Sequence, residues 1–324
     1  LRRAMSILVT GGTGYIGAHL VKALCDRGEE VVIYDVAPLF SAISDIVERV
    51  KVVKGDVSDY ALLLRTIKEN DVDRIIHLAS LLSEACRASP YAALKINVEG
   101  TVNVLEAARL MDIRKVIYAS SRAVYHGLTV SEPLKEDFPK HPKTVYGITK
   151  LTCELYGEYY AENYGIDFVA LRFSLVYGPS RAPMAFRGVS GAIAEMIEKP
   201  ALGLPARIPK GGDGQHEFLY IKDAVEALVL ATYAKNLRHR VFNISSTQIA
   251  KLRDVAEMVK KYIPGAIIEL GPGELLPSAY GSLDISRARS ELGFEPRYGI
   301  EEGVKDYIDE VRARRRDRFT YGEG

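Results

Sequence analysis

The sequence predicts an α/β fold: a doubly wound parallel sheet followed by a smaller C-terminal α/β lobe. Three observations predict it. The chain opens as strand, glycine turn, helix and strand between Ser6 and Asp35. Apolar runs of strand length then recur as far as Ile244, with apolar residues at helical spacing between them. From about Tyr177 prolines and glycines thicken, marking a second lobe rich in loops.

Taken in order, Ile7-Leu8-Val9 is an apolar run of the length a buried strand needs. Gly11, Gly14 and Gly17 follow, and Ile16, Leu20, Val21 and Leu24 mark the inner face of a helix. Val31-Val32-Ile33-Tyr34 is the next strand and ends on Asp35. Val50-Lys51-Val52-Val53, Arg74 to Ser80, Lys115 to Ser121, Phe168 to Arg172 and Val241 to Ile244 continue the series. Val98 to Ala108, Thr149 to Asn163 and Asp223 to Ala234 supply helices. Alternation of this kind builds a parallel sheet covered on both faces. The expected division places residues 1–176 and about 215–248 in a Rossmann-type dinucleotide domain. Residues of about 177–214 and 249–324 form the substrate lobe, closing with a helix over Gly303 to Arg316.

The opening segment points to a ligand. Gly11 lets the chain turn off its strand, and Gly14 removes a Cβ where a pyrophosphate would approach. Gly17 permits close helix–strand packing, while the helix N-terminus, at Tyr15 and Ile16, offers amides to phosphate. Asp35 stands where a carboxylate accepts from ribose hydroxyls. A 2′-phosphate would be repelled there, and Val36-Ala37-Pro38 holds no Arg to receive one. The expected cofactor is therefore NAD.

Tyr146 and Lys150 are four residues apart, one turn of helix, so both project from one face. A nearby ammonium favours a phenolate and makes Tyr a usable base. Ser120-Ser121 ends the preceding strand, at the carboxyl edge where open parallel sheets bind ligands. With glycine loop, Asp, Ser, Tyr and Lys in this order, the chain resembles the extended short-chain dehydrogenase/reductase family, NAD-dependent epimerase/dehydratase group, over nearly its whole length.

The resemblance implies roles position by position. Tyr146 is the catalytic acid/base, Lys150 binds the nicotinamide ribose and tunes it, and Ser121 holds the substrate oxygen. Asp56 and Val57 hold the adenine. Leu78, Ala79 and Ser80 lie beneath the pyrophosphate, with His77 a structural histidine. Asn97, Ser120 and Ser174 border the cofactor. Ser83, Arg122, Leu175, Arg181, Arg187 and His216 are the candidate substrate contacts beside Ser121 and Tyr146. The implied chemistry is hydride exchange at a secondary hydroxyl of a sugar or nucleotide sugar.

Three departures bear on the substrate. Arg122-Ala123 stands where the family's dehydratases carry Asp-Glu, which argues against elimination. Leu175 replaces an Asn, and His216 falls where an Arg usually meets the diphosphate. Leu81 to Ala85 with Ser89-Pro90 resembles the threonine and sugar-acid dehydrogenases of the superfamily. Oxidation of a small hydroxy acid, its carboxylate clamped by Arg122 or Arg187, is thus the alternative enzyme reading. Arg122 as a strand-end residue paired with a surface acid is the structural one. A non-catalytic NAD-binding regulator is the reading from outside enzymology, and intact Ser121, Tyr146 and Lys150 argue against it.

Composition narrows the field further. Net charge is +1, so no bulk field favours nucleic acid or an anionic membrane. The Arg-rich end from Arg312 to Arg318 reads as a solvated helix terminus. Cys25, Cys86 and Cys153 lack metal spacing and suit a reducing compartment, so the expected location is cytoplasmic, with no metal. No apolar run reaches the ~20 residues of a membrane span, nor does a secretory h-region open the chain. The resemblance also implies a homodimer, paired through a four-helix bundle by helices near Thr101–Arg109 and Lys150–Tyr160.

Overall fold

The computed structural model describes residues 5–125, 132–182, 188–275 and 281–320, with side chains as far as Arg314. The first unit runs β1 (Ser6–Thr10), α1 (Tyr15–Asp26), β2 (Glu30–Asp35) and β3 (Val50–Lys54). After α2 (Tyr60–Glu69) comes β4 (Val72–His77). Then follow the short α3 (Ser83–Ala88) and α4 (Pro90–Ala93), a π-helical stretch at Leu94–Glu99, α5 (Gly100–Leu110) and β5 (Lys115–Ser121). The 20-residue α6 (Val145–Tyr164) leads to β6 (Asp167–Phe173).

Beyond β6 the chain forms β7 (Leu175–Tyr177), α7 (Gly188–Ala201), β8 (Ala206–Ile208) and β9 (Gln215–Tyr220). It returns through α8 (Ile221–Tyr233) to β10 (Val241–Ile244). It ends with β11 (Ile249–Lys251), α9 (Leu252–Tyr262), β12 (Ile268–Leu270) and α10 (Ile300–Thr320).

Seven strands form one sheet in the order β10-β6-β5-β4-β1-β2-β3, and each pairing is parallel. Strand alternation divides its side chains between two cores. Ile7, Val9, Ile33, Ile76, Ile117 and Leu171 join α1 and α8 on one face. Leu8, Tyr34, Ile75, Tyr118 and Phe168 join α2, α5 and α6 on the other. Residues with less than a tenth of their surface exposed on both faces of every inner strand explain the near-continuous apolar runs of the sequence. Each fully buried Leu, Ile or Phe contributes about 1.5–3 kcal/mol of transfer free energy. A third core joins α7, α9 and α10 to the three-stranded sheet β11-β9-β7, and β12 pairs with β8.

Strand order reverses between β1 and β4, which opens a crevice at their carboxyl ends. The glycine turn, the β4 end and the start of α6 converge there. The helix carrying Tyr146 begins earlier than the apolar spacing suggests, because Thr144 caps it by accepting from Gly147 N–H at 3.1 Å. It ends at Gly165, whose φ of 72° suits glycine. Cys25, Cys86 and Cys153 are all buried free thiols. Arg314 of α10 reaches back to the carbonyl of Ser180 and to Glu310 at 3.0 Å, while the side chains of Arg315, Arg316 and Arg318 lie outside the described residues. Among the described residues no helix is long and apolar enough to cross a membrane, and no cluster of His, Cys, Asp or Glu could hold a metal ion.

Candidate active site

The glycine turn is built by close approach. Gly11 has a φ of 67°, and its N–H donates to Tyr34 O at 2.8 Å. A Cβ on Gly17 would lie 2.2 Å from Gly11 O, so any larger residue would push α1 off the turn. Gly14 is the N-cap of α1 and offers no side chain to its first-turn amides. Ile16 follows half-buried, and the Tyr15 hydroxyl donates to Gly178 O at 2.9 Å. Asp35 is held by a neighbour that the motif alone did not reveal. Thr13 donates to Oδ2 through its N–H at 3.1 Å and its hydroxyl at 2.7 Å, while Ala37 N–H donates to Oδ1 at 3.1 Å.

Beside it, Asp56 Oδ1 accepts from Ser58 N–H and hydroxyl at 2.8 and 2.9 Å. Val57 is buried, and its carbonyl accepts from Asn103 at 3.0 Å. At the end of β4 the Thr10 hydroxyl accepts from the amides of Leu78 and Ala79, both at 3.2 Å. Its proton is therefore directed to His77 Nδ1 at 2.7 Å, leaving Nε2–H to donate to Thr101 Oγ1 at 3.0 Å. Burial, and then the Lys150 charge, push His77 down to about 3, so it stays neutral as a strut. The Ser80 hydroxyl donates to Leu81 O at 3.1 Å. Asn97 was expected beside the cofactor, but its amide is spent on the protein. It accepts from Leu81 N–H at 2.7 Å and donates to Leu81 O at 3.1 Å and Thr149 Oγ1 at 3.1 Å. It thereby ties the loop after β4 to α6.

Ser121 and Tyr146 meet in a hydrogen bond. Ser121 Oγ also accepts from Ala123 N–H at 3.2 Å, which fixes the hydroxyl at the end of β5. Lys150 is buried, donates to Ala119 O at 2.7 Å, and lies 5.5 Å from the centre of the Tyr146 ring. Burial pushes Lys150 down to about 8. The same burial pushes Tyr146 up to about 12, against the pull of the Ser121 hydrogen bond. The sequence argument expected the ammonium to lower the phenol; here burial sets the direction, and what opposes it is the Ser121 hydrogen bond rather than Lys150.

Ser120 was expected to border the cofactor; its hydroxyl donates to buried Glu154, one turn beyond Lys150 on α6. Glu154 in turn accepts from Arg172 Nη2 at 2.6 Å and Nε at 2.9 Å, and Arg172 reaches Tyr125 and, at 3.0 Å, Glu136 O. This buried ion pair seats the helix that carries Tyr146 and Lys150.

The candidate substrate residues divide. Ser83 opens α3 on the exposed side of the cleft, and Leu175 is half-buried on β7. Ser174 is buried with no partner for its hydroxyl, as is Nε2 of His216, which packs edge-on to Phe218. Burial, and then Arg122, push His216 down to about 4, so it is a neutral imidazole at neutral pH. Arg122 donates to Glu217 at 2.8 Å, so its partner is a buried acid and not the surface acid expected. Arg181, a candidate substrate contact, has partners within the protein. It holds Ala42 O at 2.9 Å and the Asp45 carboxylate, beside β2 and three strands from Ser121. Arg187 lies outside the described residues.

The cradle fits a dinucleotide on its own terms. A turn closed to any Cβ at Gly17, an uncapped helix start, a fixed carboxylate at Asp35 and an orphan hydroxyl at Ser174 are the parts such a ligand uses.

Comparison with known proteins gives the family and the fold. The model of the NAD dependent epimerase/dehydratase family matches residues 7–245. A UDP-glucose 4-epimerase of Mycolicibacterium smegmatis is 30% identical over 321 residues, covering 95% of this chain and 99% of that protein. The solved Thermotoga maritima UDP-glucose 4-epimerase with UDP-glucose superposes with a TM-score of 0.83 at 27% identity, over 96% of this chain and 99% of that one. The L-threonine dehydrogenase of Clostridium difficile superposes with a TM-score of 0.85 at 28% identity, over 97% and 99%.

Proposed function

The chain belongs to the NAD-dependent epimerase/dehydratase family, and from that premise we propose that it is an NAD-dependent epimerase of a sugar or nucleotide sugar. The observation that carries the reading is the Ser121–Tyr146 hydrogen bond at the carboxyl edge of the sheet, with Lys150 buried beneath it. In this reading Ser121 holds the substrate oxygen, Tyr146 moves its proton, and Lys150 supplies positive charge under the ring. NAD, held there, would supply hydride acceptance and return at the carbinol carbon. The glycine turn and Asp35 bind and orient that cofactor.

The choice between a nucleotide sugar and a small hydroxy acid turns on cations. Arg122 is engaged by Glu217, which weighs against one of the two guanidinium groups expected to clamp a small carboxylate; the other, Arg187, lies outside the described residues. Oxidation of a hydroxy amino acid remains the second reading, supported by the threonine dehydrogenase likeness. The test is turnover of UDP-glucose and UDP-galactose by NAD-loaded protein, against NADH formation with threonine. Tyr146→Phe should reduce epimerisation at least ~10³-fold while NAD still binds. Full turnover by that variant would refute the assignment.

The small sheets with α7, α9 and α10 are proposed as the substrate lobe, closing over the seven-stranded NAD unit. A cytoplasmic homodimer completes the proposal. Ile148, Leu155, Tyr156 and Tyr159 lie exposed on α6 and Leu110 on α5, an apolar face suited to pairing with a second copy. Sedimentation equilibrium returning the monomer mass would exclude it.

A further inference from the structure

Arg122 and Glu217 meet between β5 and β9, beside Ser121. Arg122 Nη1 donates to Glu217 Oε2 at 2.8 Å and Nη2 to Gly281 O at 3.3 Å. The Glu217 side chain is 0% exposed and that of Arg122 only 14%. The acid is saturated: Leu283 N–H donates to Oε1 at 2.8 Å, and the Ser245 hydroxyl adds a further bond. Arg122 follows Ser121 directly in the chain, and its guanidinium is close enough to His216 for its charge to disfavour the imidazolium.

We propose that Arg122 and Glu217 form a charge-neutral specificity element that makes the site accept an uncharged sugar ring and reject one bearing a carboxylate. The inference rests on the sugar-epimerising reading above. A carboxylate that drew Arg122 away from Glu217 would strand a fully buried anion without its counter-charge. That cost exceeds what one more guanidinium–carboxylate contact returns. A hydroxymethyl group requires no such exchange. The same guanidinium without Glu217 would be a carboxylate clamp, because its planar fork matches two oxygens. The charge at position 217 therefore sets the selectivity, although the acid itself lies behind the arginine.

UDP-glucose and UDP-glucuronic acid test this, differing only in CH2OH against COO− on the ring. Calorimetry on NAD-loaded protein gives the ratio of their dissociation constants. Wild type should favour UDP-glucose by about tenfold or more. Glu217→Gln keeps the shape, removes the charge, and should move the ratio at least about tenfold toward UDP-glucuronic acid. Arg122→Gln should move it the other way, and it decides the question if Glu217→Gln fails to fold. General damage weakens both ligands together and leaves the ratio alone. An unchanged ratio in the folded variants, or a wild type that prefers the carboxylate, overturns the inference while leaving the nucleotide-sugar reading intact. A wild type that binds neither ligand overturns both.

Discussion

Removing the charge of Glu154 tests whether the buried pair beneath the site seats the catalytic helix. Arg172 and Glu154 side chains are 2% and 1% exposed, and the carboxylate takes both Nε and Nη2 of the guanidinium as well as the Ser120 hydroxyl. Glu154→Gln preserves volume but turns an amide N–H2 toward a group with only donors. Breaking a buried pair from one side costs about 3–5 kcal/mol. Arg172 keeps the Glu136 carbonyl at 3.0 Å and the Tyr125 hydroxyl, and the Glu136 carboxylate still feels its charge. These place the cost at the lower end, ~3 kcal/mol. At roughly 2–4 °C per kcal/mol, thermal unfolding followed by circular dichroism should drop by about 6–12 °C. The double variant Glu154→Leu with Arg172→Met should be more stable than either single one, because it strands no charge. A single-variant loss under ~1 kcal/mol, or a double variant as unstable as the two losses added, would refute the reasoning.

Two further outcomes follow from the geometry. Gly17→Ala drives a methyl to 2.2 Å from Gly11 O and 2.8 Å from Gly12 Cα, backbone atoms that cannot rotate away, so α1 must shift by about 1 Å. Turnover should fall on the order of 10²-fold and NAD titration should weaken with it; unchanged NAD affinity would contradict the proposed cradle. Lys150 titrates near 8 in the folded chain and near its ordinary 10.5 when unfolded. Between those values the unfolded state binds more protons, so this group makes stability rise with pH from about 8 to 10.5, and below about 8 its full penalty applies. Urea unfolding of cofactor-free wild type and Lys150→Met across pH 7–10 should differ by that upward slope; parallel profiles would dismiss it.

What could be read from the residues was the part that repeats or must be small. Strand alternation gave the seven-stranded sheet because both its faces are buried, and Gly17 announced a contact that no side chain survives. Partners chosen by the fold were harder to see. Thr13 and Thr10 are unremarkable in sequence, yet they orient Asp35 and the β4 end. Glu154 did leave a trace, continuing the four-residue spacing of Tyr146 and Lys150, and Arg172 interrupts an otherwise apolar strand, a position that demands a counter-charge. Arg122 and Arg181 looked available because nothing local opposes them; Glu217 and Asp45 are 95 and 136 residues away in the chain. Charge at a site is a property of the packed molecule.

The packing of α1 against α8 has a consequence for the chain as it leaves the ribosome. Leu20, Val21 and Leu24 share their core with Val225 and Leu228, just over two hundred residues later. At roughly 5–20 residues per second, the cofactor helix waits about 10–40 s for its cover. Its sheet also lacks its β10 edge until those residues emerge. During that interval the glycine turn exists before the surface that holds it flat. A nascent chain halted before Ile221 therefore presents a bare apolar helix to chaperones and to other chains, and the nucleotide unit matures only after β7, α7, β8 and β9 have been made.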